Sequence, residues 1–151
     1  MNVLDIQELR VEHLSARVLM VGHSSEHSAR LLADSDLTVD WCLSGRQVLG
    51  KLRQNSYEVV LCDLNMGGIE LMTRVHERFP EVAFVMVIEP ENLRNGILAM
   101  MSGASDYILT PLQPDTIVLS LNRALERRRI ESALGEYQRK LDLGQSWAKQ
   151  R

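Results

Sequence analysis

Glu58-Val59-Val60-Leu61-Cys62-Asp63-Leu64-Asn65-Met66 is the stretch on which the fold turns. A short apolar run ends in a carboxylate, and the pair Gly67-Gly68 begins four residues after the acid. A run this short, bounded by turn residues, reads as a strand buried on both faces of a parallel sheet. In open α/β sheets, ligands and chemistry sit in the crevice beyond the carboxyl ends of the strands. Asp63 falls at that edge. A lone acid there serves as a metal ligand, as a nucleophile, or as an acidic cap for the next helix.

Outward from this strand the same alternation recurs. Residues 17–21 read as a first strand closed by Gly22, and Ser24 or Ser25 caps a helix carrying Ala29, Leu32 and Ala33. Residues 37–42 form a second strand, and Ser44-Gly45 turns into a helix with Val48, Leu49 and Leu52 on one face. Beyond Asp63 a helix over 69–79 turns Ile69, Met72, Val75 and Phe79 inward until Pro80 stops it. Residues 82–88 are the most continuous apolar run and read as a fourth, central strand. A helix over 91–101 ends at Gly103 in the left-handed conformation. Residues 105–109 make a fifth strand, Thr110-Pro111 a turn, and a last helix starts near Gln113 or Pro114. Five such units predict an α/β fold with a doubly wound, five-stranded parallel sheet in the flavodoxin-like order 2-1-3-4-5.

The 151 residues suit one domain with an appendage: an extension over 1–16, the domain over 17–129, and a helical linker over 130–151. With 45% hydrophobic and 25% charged residues the composition is that of a globular chain. No apolar run approaches the roughly 20 residues a membrane span needs, and the first sixteen residues carry no secretory signal. The expected compartment is the cytoplasm. Two cysteines without motif spacing make neither a disulfide framework nor a zinc site. The net charge of −3 is unevenly spread: residues 1–120 carry −7 and residues 121–151 carry +4. An acidic globule argues against nucleic-acid binding by the domain, and no aromatics lie among the tail's arginines to stack bases.

The strand over 18–21, the segment Asp63-Leu64-Asn65-Met66, the stretch Gly103-Ala104-Ser105-Asp106-Tyr107 and the pair Thr110-Pro111 together resemble the receiver (CheY-like) domain of bacterial two-component response regulators. The resemblance covers about residues 17–129. It implies a phosphoryl acceptor at Asp63, served by a sensor histidine kinase, and Mg²⁺ held by that carboxylate and the backbone carbonyl of Asn65. It also implies a switch aromatic at Tyr107 and a cis peptide bond at Thr110-Pro111. The rest of the family's site is replaced. The two adjacent acids that hold Mg²⁺ are here Gly22 and His23. The hydroxyl residue ending the fourth strand is Ile88, or Glu89 on a one-residue shift. The lysine before the proline is Thr110, and the loop after the acceptor is shorter.

Each replacement has a physical consequence. Mg²⁺ requires oxygen ligands in near-octahedral array, which an imidazole at His23 does not supply. Phosphoryl transfer depends on neutralising charge on the equatorial oxygens, and the lysine is gone. Glu26 is a candidate substitute acid, whereas His27 belongs to the next helix and Cys62 points to the face opposite Asp63. The expectation is a non-enzymatic, degenerate receiver that acts through protein contacts and has at most a doubtful Mg²⁺ site. The alternatives are a working phosphoacceptor at Asp63 and a flavodoxin-like ligand-binding domain. No Gly-rich phosphate loop supports the last.

The final helix is expected to outrun a receiver's usual end. Ile117, Leu121, Ala124 and Leu125 face the domain. Ile130, Leu134, Tyr137, Leu141, Gly144 and Ala148 then recur at spacings of four and three, a heptad seam with weak last positions. This predicts a homodimer seated on Ile130, Leu134, Tyr137 and Leu141, together with the face of the fourth helix, fifth strand and fifth helix. The tail resembles the linker to an output domain, so the sequence is expected to be part of a longer protein.

Overall fold

The computed structural model describes residues 16–22, 25–32 and 37–149. The extension expected over 1–16, apart from Ala16, lies outside them, as do Ser24 and Ala33. Among the described residues, five strands and five helices alternate: β1 (Arg17–Val21), α1 (Ser25–Leu31), β2 (Thr38–Cys42), α2 (Val48–Gln54), β3 (Val59–Asp63), α3 (Gly68–Arg78), β4 (Ala83–Ile88), α4 (Leu93–Met101), β5 (Asp106–Leu109) and α5 (Pro114–Lys149). Short 3₁₀ turns over Gly45–Gln47, Leu64–Met66 and Pro90–Asn92 lead into α2, α3 and α4. All pairings are parallel and the order is β2-β1-β3-β4-β5, as the alternation predicted.

One expectation is corrected. β3, not β4, is the middle strand; β4 lies between β3 and the edge strand β5. The unbroken apolarity of β4 records burial on both faces, and every one of its residues is buried. β1 and β3 share that condition, so apolarity separates inner from edge strands without ordering the inner ones.

Successive residues of a strand point to opposite faces, and two cores result. Val60, Cys62, Phe84, Met86 and Ile88 pack with α2, α3 and α4, whereas Val59, Leu61, Val85 and Val87 pack with α1 and α5. The inward stripe of α3 is Leu71, Met72 and Val75, with Ile69 and Phe79 only partly buried. A knob-and-notch contact fastens α4. Ile88 is 1% exposed, and a Cβ added to Gly96 would lie 2.3 Å from Ile88 Cδ1.

At the amino end of the sheet, Asp40 joins β1, β2 and the start of β3. Its Oδ2 accepts from the Tyr57 hydroxyl at 2.5 Å and from Arg17 Nη2 at 2.9 Å. The Arg17 guanidinium also lies 5.0 Å from the Tyr57 ring centroid. The Tyr57 hydroxyl first, and then Arg17, hold the Asp40 carboxyl below the usual carboxylate range, against its own burial. Burial first, and then the Asp40 carboxylate, push Tyr57 up to about 12.

α5 does continue unbroken past the domain, through Gly135 and Gly144. Two arginines fix its direction of exit. Arg127 Nη1 donates to Ser105 O at 2.8 Å, and Arg128 Nη2 donates to Pro80 O and, at 2.6 Å, to Val82 O. Loop carbonyls at the β4 and β5 entries thus hold the helix where its core face runs out.

The notch predicts a sign reversal in stability. Gly96→Ala gains about 1 kcal/mol of helix propensity but overpacks Ile88, at about 1–3 kcal/mol. It should lower the denaturant midpoint in the native background and raise it in Ile88→Val, which lacks the offending Cδ1. A cycle of urea melts checks this, and equal signs in both backgrounds would refute the contact.

A pH dependence follows from Asp40. Its folded pKa lies below the unfolded value, so its contribution is present above roughly pH 4 and is lost as the pH falls through the folded value. Tyr57→Phe removes the largest cause of the shift. Thermal melts between about pH 5 and pH 3 should therefore show a smaller acid loss of Tm for Tyr57→Phe than for the native chain.

Candidate functional site

β3 ends at the carboxyl edge of the sheet between β1 and β4, and there it delivers Asp63 half-buried. The backbone then tightens into the 3₁₀ turn Leu64–Met66, and Asp63 caps it: Oδ1 accepts from the Asn65 N–H at 3.2 Å. The capping role that the sequence left open is therefore occupied. Asn65 itself is exposed.

Across from Asp63, β1 closes on Gly22, whose φ is +140°. L side chains rarely adopt that conformation. A Cβ built on Gly22 would lie 3.1 Å from Asp63 Cβ and 3.7 Å from Asp63 Oδ2. The two strand ends lie close enough that a side chain at residue 22 would need Asp63 to give by a few tenths of an ångström. Gly22 N–H donates to Cys42 O at 3.1 Å, which ties this conformation to the end of β2. A cavity of about 30 Å³ lies against Asp63, lined in part by Gly22, Ser28, Val87 and Leu112. It is large enough for a water molecule. Ser28, buried at 3%, is a site neighbour that sequence reading missed. Its signal was a small polar residue on the inward side of α1.

Asp63 offers a carboxylate with one oxygen already engaged, Gly22 offers no side chain, and among the described residues no three His, Cys, Asp or Glu side chains converge to hold a metal. His23 and the side chain of Glu26 lie outside the described residues; His27 is exposed on α1. Cys62 does lie on the opposite face of the sheet, within the core against α2, α3 and α4. Burial first, then the Asp63 charge, push its thiol up to about 12, so it is an inert core group.

The other named positions fall into two groups. Ile88 and Thr110 adjoin through the backbone, with Thr110 N–H donating to Ile88 O at 3.0 Å. The Ile88 side chain points away from Asp63 into the Gly96 notch, and Glu89 stands exposed beyond the strand. Thr110-Pro111 is a cis peptide, with Thr110 half-buried and Pro111 exposed. Tyr107 lies apart from this cluster, 37% exposed on the edge strand β5. Ile130, Leu134, Tyr137 and Leu141 stand exposed on the projecting part of α5, remote from Asp63 along the chain. Gly96 is the second residue that sequence reading missed, since a glycine inside a helix does not announce its partner.

Comparison with known proteins places this arrangement. Residues 22–122 match the response regulator receiver domain family. The chain is 30% identical over 93 residues to the transcriptional regulatory protein ZraR of Klebsiella oxytoca, covering 60% of this chain and 21% of that protein. It is 28% identical over 99 residues to the DNA-binding transcriptional regulator NtrC of Salmonella typhimurium, again covering 21% of it. The chain thus spans about a fifth of the curated relatives it matches. Among solved structures it is similar in fold to a receiver domain protein of Clostridium thermocellum, with a TM-score of 0.69, 24% identity, and coverage of 76% of this chain and 98% of that one. It is likewise similar to the chemotaxis response regulator CheY4 of Vibrio cholerae, with a TM-score of 0.64, 24% identity, and coverage of 73% and 98%. With the strand order, the acid ending β3 and the family match over residues 22–122 in agreement, this chain belongs to the response regulator receiver domains of two-component signalling.

Proposed function

We propose that this chain is a degenerate receiver: a non-enzymatic, cytoplasmic signalling module that works through protein contacts rather than an efficient Mg²⁺-dependent phosphorylation switch. The observation that carries this reading is the approach of Gly22 to Asp63. A residue whose φ is +140° and whose Cβ would sit 3.1 Å from Asp63 Cβ is a poor place to restore a metal-binding acid. The wedge of Ile88 in Gly96 supports the same reading, because the side chain at the switch position is committed to the core. The second reading, a phosphoacceptor served by a sensor histidine kinase, rests on the half-buried Asp63 retained at the edge of the sheet. An output domain joined to α5 suits both.

The contact surface in this proposal is a homodimer interface along α5. Residues three, four and seven apart share a side of a helix. Arg123 and Arg127 lie seven and three residues before Ile130, and they reach Asp106 at 3.0 Å and Ser105 O at 2.8 Å. The stripe of Leu119, Ile130, Leu134, Tyr137 and Leu141 therefore runs on the side of α5 nearest β5, and all five are exposed. Tyr107 and Leu109 of β5 and Ile97 and Met101 of α4 are exposed as well. A second copy related by a two-fold axis covers seam and sheet edge together, which offsets the shortness of a four-position seam.

Two measurements test these readings. Titration with beryllofluoride in roughly millimolar Mg²⁺ should leave the backbone amide signals around Asp63 unshifted, because Mg²⁺ lacks its ligand set. A saturating shift abolished by Asp63→Asn would establish the phosphoacceptor reading.

Light scattering of the full chain at tens of micromolar, roughly the range in which a weak dimer is populated, should give twice the chain mass. Leu134→Asp should reduce it to the monomer mass, since an unpaired charge in the seam has no compensating partner. A monomeric native chain, or a variant that stays dimeric, would remove α5 as the interface.

A further inference from the structure

We propose that His76 is a proton-operated latch on the exit of α5. On taking up a proton, its imidazole competes with the Arg128 guanidinium for the Val82 carbonyl and frees the projecting half of the helix. The latch lies at the entry to β4, at the opposite edge of the sheet from Asp63. It does not depend on which reading of that acid holds.

Three elements build the place. His76 stands half-buried in the last turn of α3. Its ring meets Phe84 edge-on, with centroids 6.3 Å apart. A Cβ on Gly103, in the turn between α4 and β5, would lie 3.9 Å from His76 Nδ1. From the other face of the sheet comes Arg128 of α5, whose Nη2 donates to Pro80 O and, at 2.6 Å, to Val82 O. The Val82 carbonyl acts on the imidazole too, and favours its charged form. One carbonyl thus serves two side chains, from helices that cover opposite faces.

Each of these side chains also keeps a buried nitrogen, His76 Nε2 and Arg128 Nε, with no hydrogen-bond partner among the described residues. Unpaired buried polar atoms are costly, and folded proteins contain few of them. Here two of them belong to the two side chains that share Val82 O. Neither side chain is fully satisfied in the latched state, so a second arrangement of the pair lies close in free energy.

Charge decides which arrangement holds. The charged groups that act on His76 are Arg128 and Glu131, both on α5. β4 and its entry contribute Phe84 and the Val82 carbonyl, and the turn before β5 contributes Gly103, none of them charged. Glu77, Arg78 and Glu81, close in sequence, are exposed. Burial first, and then Arg128, hold His76 below the usual 6.5, against the pull of Val82 O and Glu131. At neutral pH the imidazole is therefore uncharged, and the guanidinium keeps both carbonyls. As the pH falls through the folded value, a proton from solvent sets two cations against each other at Val82 O. The imidazolium gains the carbonyl. Arg128 gives it up, with Glu131 3.4 Å from its Nη1. Arg127 still donates to Ser105 O at 2.8 Å, so α5 stays docked up to that residue and pivots beyond it.

An NMR titration of the full chain between about pH 7.5 and about pH 5 tests this. The His76 imidazole, the Arg128 Nε–H and the Val82 carbonyl carbon should move together, with one midpoint below 6.5. Backbone order parameters of residues 130–143 should fall across the same midpoint, from a rigid value of about 0.85. In His76→Gln the Arg128 and Val82 signals should keep their neutral-pH positions throughout. Arg128→Met removes the opposing cation and should shift the His76 midpoint upward. Arg128 and Val82 signals that stay still while His76 titrates would overturn the proposal, as would movement that persists in His76→Gln. A His76 that remains uncharged down to about pH 5 would do the same. So would an unchanged His76 midpoint in Arg128→Met, a measurement that stands even where the glutamine variant does not fold.

Discussion

The inner strands β1, β3 and β4 have no side on which a polar residue is at ease. Val18 to Val21, Val59 to Cys62 and Ala83 to Ile88 are all buried, so helices must cover both faces of the sheet. Parallel pairing then forces each helix to return the chain to the same edge, and every βα loop gathers at the other. Asp63 is the residue at which β3 first escapes this constraint. Its placement is a by-product of the sheet and does not depend on the chemistry that usually surrounds it.

That independence lets the scaffold stand whatever residues surround Asp63. β1 is followed by Gly22, whose φ of +140° L side chains rarely adopt. β4 ends in Ile88, which fills a notch in α4. Both positions are closely packed, which is what interiors favour. Function lives in sites grafted on folds.

α5 has a different history along its length. Its first half obeys the sheet, with Ile117, Leu121 and Ala124 fully buried. Beyond Leu125 no strand remains to pack against, and Arg127 and Arg128 bond the helix to loop carbonyls at the boundary. Past that point the helix carries the exposed apolar stripe of Ile130, Leu134, Tyr137 and Leu141.

The element order, the strand topology and Asp63 at the carboxyl edge were legible in the sequence, because short continuous apolar runs bounded by turn residues and helical stripes of period three to four are local signals. The continuation of α5 was legible for the same reason. The rank of β4 in the sheet was not, since burial on both faces marks every inner strand alike. Nor were the contact of Ile88 with Gly96, the positive φ of Gly22, the place of Ser28 in the cavity, or the reach of Arg127 and Arg128 to distant carbonyls. The sequence by itself determined which residues must be buried and where chemistry would stand if it were present. Only the tertiary structure decided how closely β1 approaches β3 at Gly22 and which side of α5 looks toward β5, because those depend on strand ends brought together from tens of residues apart.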